Sequence, residues 1–455
     1  QLLLEPSDKL YVSYSLTDGK DKLVPSNFVQ QLMRMFSEKG KPVSLSAADE
    51  QVYTDKQAVS KLVFNKRRLQ DRQPVHMPLY KALYGHFADK VDGFMFVKEG
   101  RKLYVSSGRQ LFLSANTTTA SKITEFFKCP YRFFISYGLK AKPRQVADVQ
   151  ASYIGDILHA VLEKYVGAVD LSESDEVTAK RADVIFDKVM QDDFFSALAS
   201  DVTVTHILRQ LRQECRRMCS VVKHQLAQSD FTNFATELEF GVKGPLPPVR
   251  IPFDGDEFYL VGKIDRVDVL GDDFVVVDYK SGNSAASYSE TSLYYGLKLQ
   301  LPIYVKSVES NLHKNPVGFY YFKMHNDFGK GEQEPLYVWN GRTVKDKDKI
   351  MALDRTLREG KSKRLKISLK KDGEIKESVS VVTEGELHAQ VRYAEMLIAS
   401  AGRCMRDGYV AVSPSDGACD YCDYRSICDY GDVYTYDQRD THSYVKAEKI
   451  EEVTQ

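Results

Sequence analysis

Asp278 and Lys280 flank Tyr279 at the end of the β-branched run Phe274-Val-Val-Val-Asp-Tyr-Lys280. Residues two apart in a strand project from one face, so a carboxylate and an ammonium leave this strand side by side. Asp265 lies in the preceding run, Lys263-Ile-Asp-Arg-Val-Asp-Val-Leu270, and Gly271-Asp272-Asp273 between the two is a tight hairpin turn. Asp-(x)12-Asp-x-Lys across an apolar hairpin therefore brings two carboxylates and an amine together. Two carboxylates at this spacing can hold Mg²⁺ or Mn²⁺, which prefer oxygen ligands, and the lysine can polarise a water or offset charge growing on a phosphate. Asp-x-Lys alone is ordinarily a surface ion pair; the hairpin gives it chemical meaning. Asp268 reads as a structural ion-pair partner.

The second constellation is made of sulfur. Cys419, Cys422 and Cys428 form a C-x2-C-x5-C cluster, and Cys129, 290 positions upstream of Cys419, is the natural fourth ligand. Four thiolates indicate a soft metal, zinc or an iron–sulfur cluster, and the spacing leaves both open. Either would clip the end of a domain onto its beginning and matter greatly for folding. Cys215, Cys219 and Cys404 read as apolar helix positions.

These groups must be held by elements whose pattern is legible. A strand is expected at Leu10–Tyr14 and a helix from Pro25-Ser26 to Phe36, with another near residues 78–88. A polar stretch from Gly108 to Ser121 reads as a boundary. A helix starting near Ser121 carries Cys129-Pro130, where Pro130 kinks it or starts a fresh turn, and Gly138 stops it. Residues 155–165, 176–199 and 202–228 show helical periodicity. Strands follow at 234–240, 258–261, 263–270 and 274–280, then a helix over 291–310, a strand at 317–322 and a helix over 384–405.

Composition sets the outer bounds. The chain has 455 residues, 63 Lys+Arg against 63 Asp+Glu, and 43% hydrophobic residues. That is globular composition; it excludes a collagen, a coiled-coil rod and a disordered tail protein. No apolar run suits a membrane span, no secretory signal opens the chain, and seven cysteines are too sparse for a disulfide scaffold, so a reducing, cytoplasmic setting is expected. A first residue of Gln suggests a fragment of something longer. Charge is sorted along the chain: nine bases to one acid over Arg101–Arg144, thirteen to six over Arg342–Lys376, and four to ten from Asp416 onward. The basic stretches read either as solvated surface or as tracks for a phosphate backbone. The aromatics Phe126, Phe127, Tyr131, Phe133, Phe134 and Tyr137 in the first stretch suit base stacking, but such spacing is more often core.

Gly262-Lys-Ile-Asp-Arg-Val-Asp268 followed by Val277-Asp-Tyr-Lys-Ser-Gly282 resembles the PD-(D/E)xK nuclease superfamily and, within it, the RecB-like nucleases. Gly155-Asp-Ile-Leu-His159 resembles that family's upstream glycine-to-histidine helix motif, and Gln300-Leu-Pro-Ile-Tyr304 its downstream Gln-x-x-x-Tyr helix motif. The resemblance implies that His159, Asp265 and Asp278 ligate the metal, that the Tyr279 carbonyl completes the site, and that Lys280 is the catalytic lysine. Gln300 and Tyr304, one helical turn apart, would face the DNA backbone. Glu237 falls where many relatives carry a strand glutamate and is an outer-shell candidate. One cysteine before and three after these motifs is similar to the iron–sulfur RecB-like nucleases, which implies a [4Fe–4S] cluster on Cys129, Cys419, Cys422 and Cys428, with Zn²⁺ the alternative.

Cys129-Pro-Tyr-Arg-Phe-Phe134, Glu237-Leu-Glu-Phe-Gly241, Gly296-Leu-Lys-Leu-Gln300 and Cys422-x5-Cys428 together resemble the C-terminal part of the AddB/RexB family of bacterial helicase–nuclease subunits. The fold implied is α/β: a restriction-endonuclease-like core, a mixed sheet flanked by helices, with the cysteine staple. The domains implied are a helicase-like α/β remnant over 1–110, the nuclease over 111–432 and an acidic tail over 433–455. The function implied is a Mg²⁺-dependent DNA exonuclease that processes double-strand ends for recombinational repair by hydrolysing single strands, partnered by DNA and a helicase–nuclease A subunit, away from membranes. Gly360-Lys361-Ser362 lacks the first P-loop glycine, so ATP would bind elsewhere. The rivals are a DNA-binding scaffold with a vestigial site, against which the intact Asp265, Asp278 and Lys280 speak, and a stand-alone RecB-like exonuclease.

Overall fold

Phe274, Val275, Val276 and Val277 are all fully buried, so the strand they form must be covered on both faces. In the computed structural model, which describes residues 14, 24–35, 54–70, 75–92, 104–142, 151–192, 204–282, 286–324, 337–420, 422–428, 450 and 454, that strand is central to a six-stranded mixed sheet. The strand expected at Leu10–Tyr14 and most of the acidic tail lie outside the described residues.

The chain divides into two compact units, Gln1–Lys98 and Glu99–Gln455. In the first, α1 (Asn27–Met35), α2 (Asp55–Gln70) and α3 (Met77–Asp92) are described, and Ala58, Leu62 and Leu83 form its small core. Helix α1 starts after Pro25-Ser26, whose Ser26 Oγ accepts from the Val29 N–H at 3.4 Å.

The second unit contains the helices α4 (Ala120–Lys128), α5 (Ala151–Val166), α6 (Asp175–Met190), α7 (Val204–Ala227), α8 (Gln300–Leu312) and α9 (Glu384–Arg406). Its strands are β1 (Thr117–Thr118), β2 (Thr232–Phe240), β3 (Val249–Phe253), β4 (Asp256–Leu260), β5 (Gly262–Leu270), β6 (Asp273–Lys280), β7 (Asn315–Lys323), β8 (Trp339–Val344) and β9 (Val381–Val382). The main sheet runs β2-β5-β6-β7-β8-β9, and a small sheet β1-β4-β3 stands apart. β2, β5 and β6 form an antiparallel meander; β6 and β7 are parallel, as a crossover through α8 requires.

Side-chain alternation sorts β6 between two cores. Phe274 and Val276 pack with Leu301, Val305 and Val308 of α8 and Leu387 and Ile398 of α9. Val275, Val277 and Tyr279 pack on the other face with Leu158 and Val161 of α5, Phe186 of α6, and Met218 and Cys219 of α7. Each such side chain stabilises the fold by roughly 1.5–3 kcal/mol relative to exposure. The expected mixed sheet flanked by helices is therefore present, and Cys215 and Cys219 are core residues.

Some elements differ from expectation. The helix before Cys129 is capped by Thr119, not Ser121; the Thr119 hydroxyl accepts from the Lys122 N–H at 3.1 Å. Cys129 is extended, and Pro130 opens a new short helix, Pro130–Phe133, at a position that needs no N–H. The expected helix over 291–310 is two: Glu290–Tyr294, then α8. Gly296 at φ +73° breaks it, and Pro302, in the first turn of α8, costs no hydrogen bond there. The Arg342–Lys376 stretch is not a uniform basic surface, because Arg342 and Arg364 are buried. Arg364 lies against Trp339, 4.6 Å from its ring centroid. Of the aromatics after Lys122, Phe126 and Phe133 belong to the core.

Candidate active site

Pairing of the sheet strands lines up one row of side chains. Thr236↔Arg266 and Leu238↔Ile264 flank Glu237 and Asp265, which therefore lie opposite one another. The β5–β6 ladder ends at Arg266↔Val277, so the next residues in register are Asp265 and Asp278. Asp278 pairs in turn with Tyr321 of β7. Glu237, Asp265, Asp278 and Tyr321 thus cross four neighbouring strands side by side. Where β5 and β6 part, the Asp265 Oδ2 takes over from the ladder and accepts the Tyr279 N–H at 2.6 Å.

Glu237 has an unusual backbone. Its φ is +52°, rare for a residue with a Cβ, and it resets the strand so that Ala235 and Leu238 both face the same core. The consequence is that the Glu237 carboxylate joins the row at close range. Ligand atoms of His159, Glu237 and Asp265 all lie within 4.8 Å of one another. Lys263 forms an ion pair with Glu237.

His159 comes from α5, on the opposite face of the sheet. Its Nδ1 lies 3.5 Å from Asp265 Oδ2, and its ring meets the Tyr279 ring edge-on at 5.8 Å. Gly155, one turn earlier, lets α5 approach the end of β6: a Cβ there would stand 3.2 Å from Ser281 Oγ. Burial lowers the His159 pKa, with Lys280 adding to the effect and Asp278 and Glu237 opposing it. The ring is therefore neutral at pH 7, the form that ligates metals.

Burial raises the Asp265 carboxyl to about 7, with the Tyr279 N–H and Lys280 opposing. Burial, then the Asp265 charge, raises Asp278 to about 7. Lys280 forms an ion pair with Asp278, yet neither Asp278 oxygen accepts a well-formed hydrogen bond. Two such carboxyls under a half-buried imidazole form a donor set of the hard, oxygen-rich kind that suits Mg²⁺ or Mn²⁺. Asp268 turns away and closes a buried ion pair with Arg266, Nη2 to Oδ2 at 2.5 Å.

Helix α8 covers the same face of the sheet as Asp278. Gln300 Nε2 donates to the Tyr304 hydroxyl at 2.7 Å, so these two do share one helix face. Tyr304 is buried and its phenol pKa is raised by burial and then by the Asp278 charge.

The four cysteines meet elsewhere. Cys129, Cys419, Cys422 and Cys428 line one small cleft walled by Tyr131, Val412 and Pro414. Burial, then the charges of Cys129, Cys428 and Cys422, raises the Cys419 thiol to about 11, the signature of thiols crowded together. Two backbone bonds already join the segments: Tyr131 N–H to Ala411 O at 3.0 Å and Ser415 N–H to Lys128 O at 2.7 Å. Four thiols in a mostly apolar cleft fit a soft metal or an iron–sulfur cluster.

Comparison with known proteins gives this geometry its context. The family model of the PD-(D/E)XK nuclease superfamily matches residues 117–429. The chain belongs to that superfamily. The superfamily match runs from β1 past the last cysteine and so contains the acid row, α5, α8 and the cleft. Among curated proteins, the chain is similar to the B subunit of the ATP-dependent helicase/deoxyribonuclease of Listeria monocytogenes serotype 4a, 26% identical over 98% of this chain and 43% of the relative. The protein of the same name from Bacillus subtilis is also 26% identical, over 98% of this chain and 42% of the relative. That from Clostridium botulinum is 25% identical over 94% and 41%. The chain thus spans about two fifths of the length of the curated relatives it matches. No described helix is long and apolar enough to cross a membrane.

Proposed function

We propose that this chain is the nuclease domain of a helicase–nuclease, hydrolysing phosphodiesters of single DNA strands in a divalent-metal-dependent reaction during the processing of broken duplex ends. The observation that carries the reading is the row Glu237, Asp265, Asp278 with Lys280 beside it and His159 above it. The names of the relatives support the partnership with a helicase–nuclease A subunit, and with it a cytoplasmic setting.

In this reading His159, Asp265, Asp278 and the Tyr279 carbonyl hold Mg²⁺ or Mn²⁺, and Glu237 stands at the edge of the same set. When bound, the ion supplies a Lewis acid for the phosphoryl oxygen and charge to offset the leaving group. Lys280, held against Asp278, directs its ammonium at the attacking water or the phosphate oxygen. The water oxygen bonds to phosphorus as the P–O3′ bond breaks, giving 5′-phosphate and 3′-hydroxyl ends. Neutral His159 and the Tyr279 N–H bond fix the orientation of the Asp265 carboxylate. Gln300 and Tyr304 face the strand's backbone. A [4Fe–4S] cluster on Cys129, Cys419, Cys422 and Cys428 ties the domain's ends, with Zn²⁺ the alternative occupant.

Asp278→Ala is expected to abolish Mg²⁺-dependent cleavage of single-stranded DNA, by about a thousandfold or more. Its circular dichroism and its metal content at the cysteines should match the unsubstituted protein. Undiminished cleavage in that variant would remove the assignment. Iron and sulfide analysis of anaerobically purified protein decides between the two occupants of the cysteine cleft.

A further inference from the structure

Lys298 lies in the bend between Glu290–Tyr294 and α8. Two features fix that bend. Gly296 is at φ +73°, where a Cβ would meet the Phe127 ring at 2.4 Å, and Leu299 is fully buried in the core. The Leu297 N–H also bonds to Ser292 O at 2.8 Å. The lysine between these anchors is therefore delivered by a rigid turn.

Its ammonium stands 4.9 Å from the centroid of the Tyr321 ring, and that of Lys280 stands 5.5 Å from the same ring. Tyr321 is the next residue after Asp278 in the row across the sheet. One buried aromatic ring thus carries two cations at the edge of the acid row, one from β6 and one from the turn before α8. Burial and then the Lys280 charge lower the Lys298 pKa to about 8, so holding a second ammonium here is costly. A nucleic acid strand brings one negative charge per nucleotide to this edge and relieves that cost.

We propose that Lys298 is a phosphate-binding residue, its ammonium on Tyr321 holding the backbone phosphate next to the one being cut while Lys280 serves the cut itself. This rests on the nuclease reading of the site. It divides labour between the lysines: Lys280 acts on kcat, Lys298 on the binding of the strand.

The test uses the full-length protein that carries this chain, with Lys298→Gln, Lys298→Arg and Lys280→Gln. Binding of a fluorescent oligothymidylate is measured in Ca²⁺ over a range of KCl, and kcat and KM in Mg²⁺. For Lys298→Gln the expected results are binding about tenfold weaker, KM about tenfold higher and kcat down less than threefold. Its log–log salt slope should be smaller by about 0.7, the loss of one phosphate contact to a single strand. Lys298→Arg should stay within about threefold of the unsubstituted protein, and Lys280→Gln should lose about a hundredfold in kcat. Unchanged affinity and salt slope in Lys298→Gln would overturn the proposal, as would an Arg variant as weak as the Gln variant. If the unsubstituted protein binds the oligonucleotide without cutting it, the nuclease reading fails, and the binding and salt arms still judge Lys298.

Discussion

Asp278 is 1% exposed, its oxygens lack well-formed hydrogen bonds, and Asp265 stands opposite it across the parting strands. Both carboxyls titrate near 7 in the folded chain, far above the unfolded value of about 4. Folding therefore takes up protons here, so the pair's contribution to metal-free stability is complete below pH ~4 and is lost as pH rises through about 7. Asp278→Asn is accordingly expected to raise the metal-free Tm at pH 8 by ~3–6 °C while abolishing cleavage. Mg²⁺ should stabilise the unsubstituted protein more at pH 8 than at pH 6, because protons compete for the same oxygens below about 7. Calorimetry of both proteins with and without Mg²⁺ checks this; an Asn variant no more stable than the parent at pH 8 would contradict it. The sequence revealed Asp265, Asp278 and Lys280 because strand period alone puts them on one face. It understated Glu237, whose close approach depends on a positive φ that residue type does not announce. Lys298 went unnoticed because it sits in a turn, outside any periodic pattern.

Among the elements, the turn before α8 carries the most consequence. An unbroken helix over 291–310 is what the apolar spacing suggests, and Pro302 is then an anomaly. With the break at Gly296, the proline falls in the first turn of a new helix and the anomaly disappears. Gly296→Ala forces a Cβ into both a left-handed φ and the Phe127 ring, so a loss of about 2 kcal/mol or more is expected in urea unfolding. Activity should fall with it, because the turn also aims α8, with Gln300 and Tyr304. Wild-type stability would mean that the turn yields easily. Helix α9 was legible at both ends: Thr383 and Glu386 form a capping box, and Arg403 and Arg406 occupy the last turn. The fate of the basic stretch was not legible. Arg364 is buried against Trp339, and charge counting treats a buried guanidinium and a solvated one alike.

For the whole molecule, the cleft of four cysteines closes the second unit on itself. The alternation of apolar residues made the two-sided sheet readable, and the cysteine spacing made the clip readable, but not the backbone bonds that join its two segments. Cys419→Ser is expected to empty the cleft of metal, lower the Tm by about 5–10 °C and open residues 411–428 to protease. Mass spectrometry of limited digests reads the last effect, and an unchanged digest would show that the backbone bonds suffice. The order of the sulfurs along the chain also matters during synthesis. Cys129 emerges 290 residues ahead of Cys419. At about 5–20 residues per second, the first thiol waits roughly 15–60 s for its partners. His159, Asp265, Asp278 and Lys280 are all translated within that interval. A nascent chain halted before Cys419 therefore carries every cutting residue on a frame whose ends are still untied, and translation must run almost to the end of the nuclease before it can be locked shut.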